Sequence, residues 1–213
     1  LLTMVFSIIF LLFLGSILSY GLHQLLPLSL SLHSSCLASA PLSPWREYYQ
    51  AIVCGSSLRA SLSYSLLKEL GLLHIIVVSG SHLTFLSQIL SHIPSKTIQR
   101  LHLLALFTFV LMTKMDPPIL RAFISLVFLL FSKKHKLFHN SYQTLFLSVV
   151  FTLSLNPQWL ASQSLLLSWG AALGIHLGRN IFTQSLFCFT ILSPLLASFT
   201  SYSPLSIIIN SSL

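Results

Sequence analysis

Long apolar runs separated by short polar or proline-containing stretches dominate the chain. A membrane-spanning helix needs about 20 predominantly apolar residues, and most of the runs approach that length. The pattern predicts an all-α protein, a polytopic membrane helical bundle of about six transmembrane segments with one broken central helix. The runs cover residues 4–22, 72–93, 101–113, 118–132, 141–155, 160–178 and 181–200.

Proline residues mark several of the predicted helix boundaries. Pro94 ends the run 72–93, and Pro118 begins a new helix because proline suits a first helical turn. Asn156 and Pro157 start a turn before the run 160–178. The run 101–113 is too short to cross a bilayer unless flanking residues contribute.

The chain divides into a first transmembrane helix at 1–22, a periplasmic or interfacial region at 23–71, and a membrane core at 72–213. Residues 23–50 are rich in Ser, Pro and Leu, which argues against a span there. Residues 56–70 place a leucine at every fourth position and predict an amphipathic interfacial helix.

Composition excludes an ordinary soluble protein. The chain is 54% hydrophobic and 7% charged, with a mean hydropathy of +0.87, whereas soluble domains carry about 25% charged residues. We therefore expect a multi-pass membrane protein, and no soluble catalytic domain fits into the remaining length.

The net charge of +8 is typical of basic loops on the cytoplasmic side of a membrane protein, and on charge alone it leaves a nucleic-acid footprint as the alternative. The basic run 133–136 is assigned to the cytoplasm, together with Lys96, Arg100 and Arg179. Alternation then places the N-terminus inside and residues 46–70 outside.

The cysteines Cys36, Cys54 and Cys188 show no metal-ligand spacing. Cys36 and Cys54 fall on the same side of the predicted topology and could pair, but an unpaired buried thiol is the expectation for each. We expect no metal and no cofactor.

The stretch 71–86 is the most informative part of the sequence, because it places polar residues inside an apolar run. A bilayer tolerates such residues only where they face protein or water. Ser79 and Gly80 lie where a helix could bend or break, so the stretch predicts a broken helix that lines a polar path. His74 and His82 are too far apart for a metal pair on one helix and, taken alone, would be ordinary interior histidines.

The order of residues in this stretch resembles the signature of the ComEC family, the inner-membrane channels of bacterial DNA uptake. The matching residues are Gly71, His74, Ser79, Gly80 and His82. The resemblance continues in Pro118-Ile119-Leu120-Arg121-Ala122, in a Leu-Ser pair at Ser168 and in a Gly-Ile pair at Gly174. It covers roughly residues 50–213, with two departures: Ser56 replaces an acid after Gly55, and a Gly-Phe-Gln segment is not kept.

The resemblance implies a channel component in the bacterial inner membrane that passes single-stranded DNA into the cytoplasm during natural competence, independently of base sequence. His74, Ser79, Gly80, His82 and Arg121 would line the DNA path, with aromatic residues such as Phe85 for stacking. Gly71, Pro118, Ser168 and Gly174 would be structural, because small residues on the Ser168 face suffice for helix packing.

Arg121 itself has two interpretations. It lies one turn inside its predicted helix, so its side chain could extend to the nearby interface, or it could face a channel and bind phosphate. The resemblance favours the second.

The partners expected are single-stranded DNA, membrane lipid and further copies or other chains that complete the pore. The sequence contains no nucleotide-binding loop, so an ATP-driven motor would be a separate protein. No counterpart of the nuclease-like domain of long relatives is present, and we do not expect an enzyme.

Two alternatives remain open. The leucine start, the abrupt end and the departures from the family pattern would also suit a truncated, non-functional or purely structural remnant. An intramembrane serine hydrolase would use Ser79 with His102 or His176, although Val77 stands where such a site wants glycine.

Overall fold

A computed structural model of the chain describes residues 2–56, 80–92, 96–135 and 141–197. These ranges contain helices and turns and no β-strand, which confirms the predicted all-α class. The α-helices in them are α1 (Leu2–Ser39), α2 (Arg46–Cys54), α3 (Gly80–His92), α4 (Lys96–Met112), α5 (Pro117–His135), α6 (Ser141–Leu155), α7 (Gln163–Leu177) and α8 (Ile181–Ala197), with a short 3-10 helix at Pro157–Ala161. The predicted amphipathic helix at 56–70 lies almost wholly outside the described residues.

Within the described residues, one helical segment, Ile8–Ser39, is long and apolar enough to cross a bilayer. By length and composition alone, this supports one span of the six or so that the sequence predicts. The other apolar helical segments found are shorter: Leu101–Met112, Pro117–Ser132, Tyr142–Leu155 and Ile181–Leu195. Helix α4 also includes residues 96–100, so it has 17 residues in total, or about 26 Å of helix.

Helix α1 continues far beyond residue 22, although Pro27 lies inside it. Two polar side chains that follow Pro27 pack against the end of α4. Ser29 Oγ donates to the Leu111 carbonyl over 2.7 Å, and His33 Nδ1 lies 2.9 Å from the Met112 carbonyl oxygen. The last carbonyls of a helix lack partners within it. His33 gives the Met112 carbonyl a partner, and Ser29 adds a second one to the Leu111 carbonyl, which also accepts from the Lys114 N–H. These contacts hold the second half of α1 against α4. The sequence-based end of the first helix was wrong because these tertiary contacts override a weak local preference.

A disulfide bond joins Cys36 in α1 to Cys54 at the end of α2, with Cα atoms 5.8 Å apart. The expectation of unpaired thiols was therefore wrong for this pair. The turn after α1 brings α2 back alongside it, where Gln50 Nε2 donates to the Leu37 carbonyl over 3.1 Å. Cys188 is a free cysteine.

Gly55 ends α2 in the left-handed conformation, with φ of 74°. The Ser56 N–H then donates to the Gln50 carbonyl over 3.1 Å, so a carbonyl in the last turns of α2 gains a partner from beyond the helix. A Cβ atom on Gly55 would also lie 3.2 Å from Thr113 Cβ. Glycine is therefore needed here for both backbone conformation and close packing.

We expect Gly55→Ala to lower the free energy of unfolding by about 1–2 kcal/mol, because alanine is strained in the left-handed region. The measurement is the unfolding midpoint of the purified chain in detergent. Gly21→Ala is the matched control, since a Cβ at Gly21 meets nothing within 4 Å and alanine favours a helix. Equal unfolding midpoints for the two variants would contradict the conclusion that glycine is needed at position 55.

The turn between α4 and α5 is tight and packs against α1 and α2. Lys114 and Met115 have positive φ values of 59° and 53°, a conformation that costs roughly 1 kcal/mol or more per non-glycine residue. The turn is stabilised by its own hydrogen bonds, including Met115 N–H to the Val110 carbonyl over 3.0 Å. Thr113 is fully buried at its centre. Gly55 at the end of α2 and His33 of α1 thus pack against residues 112 and 113 at the start of this turn.

Asp116 lies at the end of this turn, where burial raises the pKa of its carboxyl above the ordinary value of 3.8, and the positive charges of Lys114 and His33 partly offset that rise. The folded chain therefore holds this proton more tightly than the unfolded chain does. The contribution of this proton to the free energy of unfolding is fully present below the ordinary pKa of Asp116. It is lost as pH rises through the raised pKa of the folded chain.

Accordingly, Asp116→Asn should raise the unfolding midpoint near pH 7 and change it little below about pH 4. Unfolding curves across this pH range provide the test. Glu47→Gln, which changes an exposed acid, should leave the midpoint near the wild-type value throughout. If the wild-type chain instead had the higher unfolding midpoint and its difference from Asp116→Asn grew with pH, the effect of burial on Asp116 would be contradicted.

Helix α5 is the central helix of the described bundle and packs against α3, α4, α6 and α7. Its apolar face contributes Ile119, Leu120 and Ile124 to a core that also includes Leu83 of α3 and Phe151 of α6. Helices α7 and α8 form a close pair, because Gly170 and Gly174 let the α8 backbone approach. A Cβ at Gly174 would lie 2.8 Å from the Cys188 backbone nitrogen. Gly174 therefore lies in the packing contact between α7 and α8.

Candidate functional site

Arg121 lies in the second turn of α5 and is almost completely buried, with 7% of its surface exposed. Its Nη2 donates to Ser168 Oγ of α7 over 2.8 Å and approaches the Ser168 carbonyl oxygen at 3.4 Å. Among the described residues, no acidic side chain pairs with the guanidinium. This burial speaks against an extension of the side chain to a membrane interface.

Gly80, the first described residue of α3, contacts the same part of α5. A Cβ at Gly80 would lie 2.9 Å from Ala122 Cβ, 3.4 Å from Arg121 Nη2 and 3.9 Å from the Pro118 carbonyl oxygen. Only glycine lets the two backbones come this close without displacing a neighbour. The sequence-predicted residues Gly80, Pro118, Arg121 and Ser168 therefore meet at one place, which we call the arginine junction of α3, α5 and α7.

Two buried polar atoms at or near the junction have no hydrogen-bond partner in the part of the chain that the structure describes. They are Arg121 Nε and Ser125 Oγ. Ser125 follows Arg121 by one helical turn, so both side chains lie on the same face of α5. Unpaired buried donors are costly, and an unpaired buried charge more so. The junction thus has positive charge and unused donors, the chemistry that suits an oxyanion.

The other predicted path residues are placed only in part. His82 lies in the first turn of α3 and is half-buried. Gly71, His74 and Ser79 lie outside the described residues, as does the first half of the predicted broken helix. Phe85 is 64% exposed on α3, so it lies on the outer side of that helix rather than beside buried Leu83. It is therefore not placed to stack a strand at the junction.

The structure gives Ser168 a role that the sequence did not. We predicted a residue of a small-residue packing face, and its hydroxyl instead accepts the hydrogen bond from Arg121. Ser125 was missed altogether. Its position four residues after an arginine in an apolar helix was the available signal.

The histidines considered for a hydrolase do not gather at Arg121. His102 lies in α4, and its buried Nε2 has no partner among the described residues. His176 is exposed at the end of α7, where its ring lies 5.9 Å from that of Tyr142. Ser79, the nucleophile of that alternative, lies outside the described residues.

Gly80→Ala should destabilise the α3–α5 contact by roughly 1–3 kcal/mol, the usual effect of overpacking. The added methyl group would overlap Ala122, so the double variant Gly80→Ala/Ala122→Gly should recover much of the loss. Unfolding midpoints of the single and double variants form a double-mutant cycle that measures this coupling. Strictly additive effects would mean that the two residues do not meet.

A protein-family model matches more than half of the chain. The model of the family described as "Competence: Competence protein" matches residues 56–212. That range includes helices α3 to α8 and the whole arginine junction, and it excludes the disulfide-linked hairpin of α1 and α2. No curated protein and no solved structure matches.

Proposed function

The chain belongs to the competence protein family, and from that premise we propose that it is a membrane channel component that passes single-stranded DNA into the cytoplasm. Family membership supports a competence-related role in DNA uptake. The finer proposal depends on one observation: Arg121 is buried where three helices meet and has no acidic partner among the described residues. Recognition of the strand would be through its phosphates and independent of base sequence.

A multi-pass position in the bacterial inner membrane is part of this proposal. Large apolar side chains are exposed on the outer faces of several helices, a pattern that suits contact with lipid tails. Phe13 of α1 is 66% exposed, Leu104 of α4 59%, and Phe182 of α8 60%. Neighbouring helices of 15 to 19 residues would cross a bilayer core of about 30 Å with help from their flanking residues.

The disulfide supports an orientation with the hairpin of α1 and α2 outside. Disulfides persist in oxidising compartments and are rare in the cytosol, and Cys36 and Cys54 are joined at that end. The turn between α4 and α5 then also lies outside, and Arg121 follows one turn inside α5. A strand that enters from outside would reach this arginine early.

At the junction, Arg121 would bind a backbone phosphate of the passing strand. Guanidinium is permanently charged and offers a planar fork of donors that matches two phosphate oxygens. We propose no catalytic role for the chain. Further copies or other chains would complete the path, and a separate ATP-driven protein would supply the work.

Deletion of the gene in its native host tests the proposal. Cells are given fluorescent donor DNA, and the fraction that becomes resistant to external nuclease and reaches the cytoplasm is measured. Loss of cytoplasmic DNA on deletion, restored by the wild-type gene, is the expected result. Unchanged delivery would overturn the channel proposal and leave the remnant or hydrolase alternatives.

A further inference from the structure

We propose that the contact between Arg121 and Ser168 is a latch that holds the arginine junction closed, and that a phosphodiester group opens it by replacing Ser168 on the guanidinium. This inference rests on the proposed function, since it concerns how the same arginine responds to the strand. It adds a conformational role for a contact that would otherwise be simple packing.

The junction leaves no room for a strand while the latch is formed. Gly80 packs directly on Ala122, where even a methyl group would overlap. Leu83, one turn further along α3, is fully buried, and Arg121 is 7% exposed. Close-packed interiors admit only a few voids larger than a water molecule. Passage of a nucleic acid therefore requires α3, α5 and α7 to move apart.

The contact between Arg121 and Ser168 is weaker than the contact that the same guanidinium could make with an anion. Its short contact, 2.8 Å, is to a neutral hydroxyl, and its second contact, to the carbonyl, is long at 3.4 Å. The donor in this contact is charged but the acceptor is not, whereas a phosphate would add the attraction of an opposite charge and a second, parallel hydrogen bond. Arg121 Nε meanwhile has no partner within the described ranges. The Arg121 guanidinium would therefore be bound more strongly by an anion than by Ser168.

A phosphodiester satisfies the groups that Ser168 leaves unused. Its two non-bridging oxygens accept a fork of hydrogen bonds from Nε and Nη2 of Arg121. The Ser125 hydroxyl, one turn along the same face and unpartnered among the described residues, supplies another donor. A phosphodiester therefore competes with Ser168 for Arg121, and its binding separates α7 from α5.

The experiment measures whether a buried position on the Gly80 face of α3 becomes accessible. Ser87 is 8% exposed on the same face of α3 as Gly80, so Ser87→Cys is the reporter, in a chain that carries Cys188→Ser. Leu42→Cys, at a position 90% exposed, is the accessible control. The purified full chain is labelled with a membrane-impermeant thiol reagent in liposomes and in phosphate-free maltoside micelles.

The latch predicts slow labelling of Ser87→Cys under both conditions. Adding a thymidine 20-mer should accelerate labelling about tenfold, the order expected for exchange of one charge-assisted hydrogen bond. A 20-mer with a neutral methylphosphonate backbone should have no effect. Ser168→Ala should accelerate labelling without DNA, while Ser168→Thr, which keeps the hydroxyl, should remain slow. Arg121→Gln should abolish the response to DNA.

Several results would overturn the latch. These are a labelling rate that does not respond to the charged 20-mer, an equal response with Arg121→Gln, and fast labelling in liposomes alone, which would assign the site to lipid phosphate. The comparison of Ser87→Cys labelling with and without the 20-mer uses unaltered Arg121 and Ser168. It therefore remains informative even if Ser168→Ala misfolds. Failure of the channel proposal appears separately, as unchanged DNA delivery on gene deletion while the labelling response persists.

Discussion

Replacing Arg121 by alanine is expected to reduce delivery of DNA to the cytoplasm by roughly ten- to hundredfold, the equivalent of one or two charge-assisted hydrogen bonds. The substitution removes the buried positive charge of the arginine junction and leaves Ser168 without its partner. Arg121→Lys should recover only part of the activity, because an ammonium group lacks the planar fork. The measurement is nuclease-protected cytoplasmic DNA in a deletion strain complemented with each variant.

Arg179→Ala is the matched control for this experiment, since it removes an exposed arginine at the turn between α7 and α8. Its delivery should stay close to wild type. Each variant's membrane abundance is measured in parallel, so that loss of protein is separated from loss of transport. Normal delivery by an abundant Arg121→Ala variant would show that no phosphate contact at Arg121 is needed.

Loss of the disulfide between Cys36 and Cys54 is expected to lower the free energy of unfolding by about 3 kcal/mol. The two cysteines are 18 residues apart in sequence, and the cross-link restricts the unfolded chain over that loop. For a chain of this size, the unfolding midpoint should fall by about 6–12 °C. The double variant Cys36→Ser/Cys54→Ser, compared with wild type in detergent, provides the measurement.

Cys188→Ser is the control, because Cys188 is not disulfide-bonded and its removal should change the midpoint far less. A reductant should lower the wild-type midpoint towards that of the double variant and leave the double variant unchanged. An equal midpoint for wild type and double variant under oxidising conditions would contradict a stabilising role for this cross-link.

Several of the helices described between residues 96 and 197 were predictable because their apolar runs are bounded by strong local signals. Helix α6, Ser141–Leu155, has the predicted bounds, and α5 begins at Pro117, one residue before the predicted start. Helix α1 was not predictable in the same way. Its second half contains Pro27 and many serines, and it depends on contacts with α4 that are distant in sequence.

The candidate site was only partly predictable for a related reason. Arg121 and Gly80 were visible as unusual residues in apolar runs, but nothing local shows that α3, α5 and α7 meet. The partnership with Ser168 spans 47 residues, and a serine in an apolar helix is ordinarily a packing residue. The disulfide was missed because its geometry requires α1 to extend to Cys36.

The most direct test of the account is to find which residues a DNA strand touches while it crosses the membrane. Competent cells take up donor DNA that contains photoreactive 4-thiothymidine, and they are irradiated during uptake. The peptides of this chain that become cross-linked to DNA are then identified by mass spectrometry. Cross-links are expected in α5 around Arg121 and in α7 around Ser168. Cross-links confined to exposed loops, or none on this chain while uptake proceeds, would contradict it.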